Sequence, residues 1–384
     1  MKVGIDARAL TGRYTGDRTY WLNLIRAYLS RECGSAENEY FLYSRLPIPQ
    51  GLLPECRQIH HRLVPASNDR LWTMLAFPRA LRQDSVDVAH TQYTTPLQSP
   101  CPMVTTVHDI SFRLYPEWFP RKHRLLLNLM VPASMRRAHA VITDSDSSRR
   151  DILRIYRLSQ HKIVSIHLAA GPEYLPTDKG EAQNLVRDRF GISEPFVLAV
   201  GVLQPRKNLP LLLEGFARFK RGCDLPHKLV ITGKRGWGND DLARLAARLN
   251  VNQYVHFTDY VADEDLPILY SAADILGYPS LYEGFGLPPL EAMACGCAVF
   301  VSDAPAMPEI AGDGALVLPV MDAARWGEAM CSVLGCPEKL ADLSARGLRR
   351  AKCFSWTRTA SDTLAIYRDV VETSIPVAAN FVKP

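Results

Sequence analysis

Two glutamates eight positions apart frame the part of the sequence best equipped for chemistry. In YPSLYEGFGLPPLEAMACGCAV (278–299) a strand ends, a glycine-containing loop follows and a helix begins. Pro288 and Pro289 suit the first turn of a helix, where a missing N–H costs nothing. Gly284 and Gly286 permit backbone conformations closed to other residues, so main-chain N–H groups of Gly284, Phe285, Gly286 and Leu287 can converge on an anion at the helix end. Glu283 and Glu291 bracket that cradle, and a carboxylate accepts two hydroxyls of a sugar or a ribose at once. The structural alternative makes Glu291 a helix-start charge, favoured by the helix dipole, and Glu283 a loop charge. The glycines and prolines between them favour a ligand site.

A second signal is VGVLQPRKNLPLLLEGF (200–216), where Arg206 and Lys207 stand between a buried strand and an apolar helix. Two cations at the mouth of a parallel sheet can neutralise a diphosphate leaving group without a metal; surface charge is the ordinary alternative. In TTVHDIS (105–111), His108 and Asp109 follow an apolar strand and so belong at the sheet's carboxyl edge. There a histidine can bond a substrate hydroxyl or move a proton, with Asp109 orienting it or acting separately, and a satisfied structural histidine is an equal competitor. The loop after Asp6 brings Gly12 and Gly16 to a helix start, a further phosphate-facing turn or a plain loop.

Other strings weigh against metals and nicotinamide cofactors. Asp263-Glu264-Asp265 and Asp144-Ser145-Asp146 each precede a helical segment, so helix capping explains them better than a metal does. GKRGWG (233–238) follows a strand in the wrong order for a dinucleotide fingerprint. Cys295 and Cys297 are too close for a zinc knuckle and read as small buried residues at a helix-to-strand turn.

Elements must hold these residues in place. Short runs rich in Val, Ile and Thr alternate with longer segments of helical period, the pattern of βαβ units and a parallel sheet. Strands are expected at 2–6, 40–44, 62–66, 86–90, 103–109, 140–145 and 163–168, and again at 196–203, 228–233, 255–260, 274–280, 298–303 and 315–320. Between the series, LAAGPEYLPTDKGEAQ clusters Gly, Pro and charge without apolar period and marks a boundary. The expectation is an α/β protein of two Rossmann-like α/β/α domains, residues 1–180 and 181–365. A tail, 366–384, packs back on the first domain, and a ligand is expected in the crevice between the halves.

Composition narrows the function classes. The 384 residues include 45 Lys+Arg against 40 Asp+Glu, 47% hydrophobic residues, 27 Pro and 23 Gly, which excludes disorder, collagen and coiled coil. A net charge of +5 falls short of a nucleic-acid binder's. Nine scattered cysteines, an odd number, do not suggest a disulfide framework and fit the cytoplasm. Met1 leads directly into KVGIDA, so no signal peptide is expected, and no apolar run is long enough to span a membrane. Residues 115–140 join Trp118 and Phe119 to a basic cluster, Arg121, Lys122, His123 and Arg124, and an apolar run. They fit an anionic membrane surface or a core helix with a solvated basic end.

Taken together, VHDIS, GVLQPRKNLPLLLEGF, VHFTDYV and PSLYEGFGLPPLEAMACGCAVFVSD resemble the retaining glycosyltransferases of family four, of GT-B fold, over nearly the whole chain. The most specific motif is Glu-x7-Glu, matched by Glu283 and Glu291, and the PRKNL string is similar to bacterial mannosyltransferases of polysaccharide assembly. The resemblance implies that Glu283 meets the donor sugar and Glu291 the nucleotide ribose, with amides from Gly284 to Leu287 holding sugar and phosphate oxygens. It implies that Lys207 and Arg206 bind the diphosphate and that His108 contacts the transferred sugar, Gly16 being the first-loop glycine. It also implies that residues 1–180 bind the acceptor and 181–365 the nucleotide sugar, with a GDP-mannose donor, a saccharide or lipid-linked saccharide acceptor and no metal or other cofactor; with the cysteines and residues 115–140, the expectation is a cytoplasmic enzyme peripheral to the membrane. Nucleic acid is not an expected partner. Two positions depart from the pattern: Val202 where relatives carry an arginine, leaving Arg206 to supply the cation, and Arg18 where many carry a second glycine. A nucleotide-sugar epimerase of the same fold and a non-catalytic nucleotide-sugar-binding protein are the rival readings.

Overall fold

The computed structural model describes residues 1–12, 15–30, 37–234 and 242–374, in two compact units. The first unit comprises Met1–Asp144, Ser148–His167 and the chain from Trp356; the second comprises Ser145–Ser147 and Leu168–Ser355.

The first unit is built on seven parallel strands: β1 (Lys2–Asp6), β2 (Glu39–Ser44), β3 (Ile59–Leu63), β4 (Val88–Gln92), β5 (Met103–Thr106), β6 (Ala140–Thr143) and β7 (Ile163–Ser165). Their order is β3-β2-β1-β4-β5-β6-β7. β1, β2 and β4 to β6 are buried almost throughout, which is why they read as continuous apolar or Thr-rich runs rather than alternating ones. Helix α1 (Gly16–Tyr28) follows β1, its N-cap Thr15 accepting from Arg18 N. Helix α2 (Phe77–Gln83) continues a turn at Asp69–Leu71 and a π turn at Trp72–Ala76; α3 (Arg121–Arg137) follows β5 and α4 (Asp146–Tyr156) follows β6. Phe77 and Leu81 of α2 pack with Tyr43 and Ala89, while Val131 of α3 and Ile152 of α4 pack with Val141. Thr91 pairs with Thr105, and Thr105 with Val141, so Ala89, Thr105 and Val141 point the same way. Helices α2, α3 and α4 therefore form one layer on one face of the sheet.

The second unit holds six parallel strands: β8 (Phe196–Val200), β9 (Lys228–Thr232), β10 (Val255–Asp259), β11 (Ile275–Tyr278), β12 (Ala298–Ser302) and β13 (Leu316–Leu318), in the order β10-β9-β8-β11-β12-β13. This is the doubly wound order in which the sequence of strands reverses between the first and the fourth. The helices that matter below are α5 (Leu209–Gly222), α6 (Leu266–Ala272), α7 (Leu287–Ala294), α8 (Met307–Ala311) and α9 (Ala323–Leu334). The chain then returns to the first unit as α10 (Trp356–Ser374), which packs against α1. Tyr367 of α10 is fully buried, its hydroxyl 2.6 Å from His90 Nδ1 and 3.0 Å from the Tyr28 hydroxyl.

Three expectations need correction here. Asp263–Asp265 forms a 3-10 turn that makes no side-chain cap on α6; the Asp265 carboxylate pairs with Arg189 instead. Cys223 and Cys331 are joined by a disulfide, their Cα atoms 6.0 Å apart, although the scattered cysteines suggested thiols throughout. The partners lie 108 residues apart in sequence and meet because α5 and α9 cross closely. A Cβ on Gly327 would stand 2.8 Å from the Gly215 carbonyl oxygen, so only glycine allows that approach. Trp118, in the stretch left open between a membrane surface and a core helix, is buried and stacked on Tyr115 at 4.2 Å, against the membrane alternative for that aromatic. Cys295 and Cys297 are buried at the turn from α7 into β12, as the sequence suggested. Among the described residues no helix is long and apolar enough to cross a membrane. Residues 235–238 of the GKRGWG string lie outside the described residues.

Candidate functional site

In the second unit the site gathers where β8 and β11 lie side by side, at the reversal of strand order, which is where open α/β sheets present ligand sites. Arg206 and Lys207 occupy a 3-10 turn, Pro205–Lys207, just past β8; Glu283 lies just past β11. Leu281 N donates to Arg206 O at 2.8 Å, which ties the two loops together.

The sequence suggested two cations awaiting a diphosphate and a separate carboxylate; the structure binds all three into one cluster, with Lys207 and Glu283 buried and Arg206 half-buried. Arg206 donates to Glu283 Oε2 at 2.6 Å, and Lys207 donates to Oε1 at 2.7 Å. The same Oε1 accepts from the Tyr278 hydroxyl at 3.0 Å and the Ser280 hydroxyl at 2.9 Å. Lys207 also hydrogen-bonds the Tyr278 oxygen, its ammonium 4.5 Å from the centre of that ring. Burial works against the Glu283 charge, but Arg206 and Lys207 outweigh it and hold the carboxyl down to about 2. For Lys207, burial is the larger influence and Arg206 adds to it, so the ammonium is pulled down to about 8 against the attraction of Glu283.

Beside this cluster runs the glycine loop. Gly286, at the N-cap of α7, has φ +118°, and a Cβ there would meet Met307 Cε of α8 at 2.5 Å. The positive φ requires glycine, whereas the methyl end of Met307 can move aside. Pro288 and Pro289 stand in the first turn of α7, whose leading amides have no acceptor within the helix and carry the positive end of its dipole. The Phe285 ring meets Phe354 edge-on at 6.0 Å. Glu291 sits in the second turn rather than at the helix start, and it is buried. Its Oε2 accepts from the Tyr270 hydroxyl at 3.2 Å. Burial pushes its carboxyl up to about 8, and the nearby carboxylates of Glu173 and Asp263 add to that against the opposing tyrosine hydroxyls. The two glutamates are thus driven in opposite directions, Glu283 to the anion and Glu291 to the neutral acid, the kind of division by which one site can hold an acceptor and a donor.

In the first unit His108, just past β5, is held by a residue outside its own strand. Its Nδ1 lies 2.6 Å from Asp144 Oδ2 at the end of β6. Its Nε2 lies 3.0 Å from the side-chain nitrogen of Gln92 at the end of β4 and 3.6 Å from Asp17 Oδ1. Tyr20 and Tyr93 flank the ring edge-on, at 5.1 and 5.6 Å. Burial opposes the imidazolium, but Asp144, then Asp17 and Asp109, outweigh it and raise His108 to about 9. Asp109 does not orient the histidine; it caps the following turn, accepting from Ser111 N at 2.8 Å and from the Ser111 hydroxyl at 2.6 Å. Gly16 is the first residue of α1, beside Asp17, and a Cβ on it would meet nothing within 4 Å. Arg18 turns inward and braces its own loop, donating to Gly12 O at 2.8 Å. Val202 is 46% exposed, and Arg206 supplies the cation beside Glu283.

Gln92, Tyr278 and Ser280 were not singled out from sequence, and Asp144 was read there only as part of a helix-capping string, whereas its carboxylate is spent on His108. A signal for Asp144 exists, since a carboxylate ending one strand lies beside whatever ends its parallel neighbour, and β5 and β6 are neighbours. Nothing in ILGYPS marks Tyr278 as more than a core aromatic.

Known proteins share this framework. Residues 27–171 match the family described as Glycosyltransferase Family 4, and residues 184–350 the family described as Glycosyl transferases group 1. The chain is 34% identical over 265 residues to O-antigen chain mannosyltransferase B of Escherichia coli, covering 69% of this chain and 70% of that one. It is 30% identical over 253 residues to O-antigen chain mannosyltransferase RfbU of Salmonella typhimurium, covering 66% of each. The solved structure of sucrose-phosphate synthase from Thermosynechococcus elongatus superposes over 97% of this chain and 100% of that one with a TM-score of 0.75 at 20% identity, a likeness of fold alone. With two parallel-sheet units of this order, both family matches and that sequence identity, the chain belongs to the family 4 glycosyltransferases of GT-B fold.

Proposed function

We propose that this glycosyltransferase moves mannose from a GDP-linked donor to a saccharide or lipid-linked saccharide, with retention of anomeric configuration and without a metal or other cofactor. The observation that carries the reading is the hydrogen-bonded Arg206–Lys207–Glu283 cluster beside the Gly286 loop. Two cations and a helix N-terminus together suit a diphosphate, and a fixed carboxylate suits sugar hydroxyls. Mannose is supported by the names of the two O-antigen relatives.

In this reading the acceptor oxygen bonds to the anomeric carbon on the face from which the diphosphate departs. The electron pair of the broken C–O bond goes to the diphosphate, and a phosphate oxygen takes the acceptor's proton. Lys207 and Arg206 stabilise the charge that develops on the leaving group. Amides from Gly284 through Phe285 and Gly286 to Leu287 hold phosphate and sugar oxygens. Glu283 orients the sugar, neutral Glu291 meets the ribose, His108 bonds a hydroxyl of the transferred sugar, and Gly16 leaves room for the donor.

Titration calorimetry with GDP-mannose, UDP-glucose and GDP tests the donor, and NMR of the product tests the configuration. If no nucleotide sugar binds, and Glu283→Ala and Lys207→Ala leave transfer unchanged, the reading fails. A new sugar formed from donor alone would identify an epimerase, and donor binding without turnover a non-catalytic protein. Transfer that survives a chelator supports the metal-free step; transfer that a chelator abolishes and a divalent cation restores overturns it.

A further inference from the structure

Tyr278 ends β11 with its ring buried, as a core aromatic would. Its hydroxyl does more than fill space. It lies within hydrogen-bond reach of Lys207 and of Glu283, the two groups that the donor reading assigns to different halves of a nucleotide sugar. An ammonium only donates and an ionised carboxylate only accepts, so the directions are fixed. The phenol accepts from Lys207 and gives its single hydrogen to Glu283 Oε1 at 3.0 Å. Burial first, and then the Glu283 charge, push that phenol well above its ordinary value against the pull of Arg206, so the hydrogen stays in place.

Few polar atoms of the cluster remain for a ligand. Glu283 Oε1 is filled by Lys207, Tyr278 and Ser280, whereas Oε2 accepts from Arg206 alone among the described residues. Of the three Lys207 ammonium hydrogens, Tyr278 and Glu283 take two, and the third has no acceptor among the described residues. One hydrogen of Lys207 and one oxygen of Glu283 are therefore open, and the Tyr278 hydroxyl joins the two groups that carry them. Three neighbouring strand ends brace the filled atoms. Lys207 lies past β8, Tyr278 and Ser280 end β11, and Ser302 ends β12, its hydroxyl donating to Ser280 O at 2.5 Å.

We infer that Tyr278 is a positioning residue for transfer. Its hydroxyl fixes the spacing and orientation of Lys207 and Glu283, so that the open ammonium hydrogen meets a diphosphate oxygen while Oε2 meets a sugar hydroxyl of the same donor. The inference rests on the donor reading and adds to it a residue that touches no substrate. A bond from ammonium to phenol also favours the charged lysine, which burial and Arg206 oppose and which Glu283 and Glu291 support. Phenylalanine at 278 would keep the ring, its packing and the 4.5 Å approach of the ammonium to its centre, and would remove only the hydroxyl.

The test compares the wild-type chain with Tyr278→Phe and with Tyr28→Phe, which loses a buried hydroxyl bonded to Tyr367 in the first unit. Calorimetry with GDP-mannose and UDP-glucose gives donor affinity, and transfer rates across pH give the profile. In Tyr278→Phe the donor should bind about tenfold more weakly and kcat should fall by about tenfold to a hundredfold, the reach of one hydrogen bond to a charged group. The alkaline fall of transfer, set in the wild type by Lys207 at about 8, should move to lower pH. Tyr28→Phe should keep the wild-type affinity and profile. Unchanged donor affinity or an unmoved profile in Tyr278→Phe, with the wild type binding donor, would overturn the inference and leave the donor reading standing. A shift shared by Tyr28→Phe would overturn it as well, since any lost buried hydroxyl would then suffice. Absence of nucleotide-sugar binding by the wild type would sink the donor reading, and the inference with it.

Discussion

Lys207 Nζ lies 2.7 Å from Glu283 Oε1, and both groups are buried. The carboxylate that is to orient a sugar and the ammonium that is to bind a diphosphate are therefore each other's counter-ions. Removing either alone leaves the other short of a partner in a medium that penalises charge.

Lys207→Met and Glu283→Leu should accordingly each destabilise the protein by ~3–5 kcal/mol. The double variant should cost less than the two combined, by ~1–3 kcal/mol, because it removes both charges at once. Urea unfolding of the four proteins measures the coupling, and additive losses would contradict the pairing.

Asp144→Asn should lower the His108 titration from about 9 toward the ordinary histidine value, since Asp144 is the main influence opposing burial. The sign for stability follows. A histidine raised in the folded state contributes stability fully present below its unfolded value of about 6.5 and lost as pH rises through about 9. The variant should lack that contribution, and transfer should fall on the order of a hundredfold if His108 acts at the reacting sugar. NMR of the imidazole against pH reads the first effect, and an unmoved titration would assign Asp144 no hold on it.

Glu291→Gln should change the pH profile of stability more than its height at acid pH. The Glu291 carboxyl is raised to about 8, so the folded chain keeps a proton that the unfolded chain releases above the ordinary glutamate value of 4.5. The wild-type protein should lose stability from this group as pH rises from 4.5 through about 8, and the glutamine variant should not. Thermal unfolding across that window distinguishes the two.

The glycines of the two units should respond differently to alanine. At Gly286, φ +118° and the approach of Met307 predict a loss of ~1–3 kcal/mol together with weaker donor binding. At Gly16 there is open space within 4 Å, so stability should stay within about 0.5 kcal/mol. A loss of transfer in a stable Gly16→Ala protein would then report a ligand passing close to that backbone.

How much of this was legible depended on whether a signal was local. The buried strands of both sheets could be read because parallel strands covered on both faces are unbroken apolar runs, and the Gly286 loop because glycines and prolines punctuate a chain in the order a helix start requires; β3 (Ile59–Leu63), polar and largely exposed, was expected at 62–66 instead. Arg206 and Lys207 were found by position after a strand. That they are bonded to Glu283, 76 and 77 residues away, was not legible, because adjacency of β8 and β11 is a property of strand order and not of spacing. The same holds for Asp144, which displaced Asp109 as the partner of His108. The disulfide between Cys223 and Cys331 depends on a helix crossing that two glycines permit, and glycines inside helices carry no label for what they approach.

The return of α10 to the first unit has a consequence for how the chain is made. The last strand of that unit's sheet is synthesised by Ser165, yet Tyr367, whose hydroxyl meets His90 and Tyr28, is delivered about two hundred residues later. On the ribosome the first unit begins before the second and closes after it, so the half translated first is the half completed last.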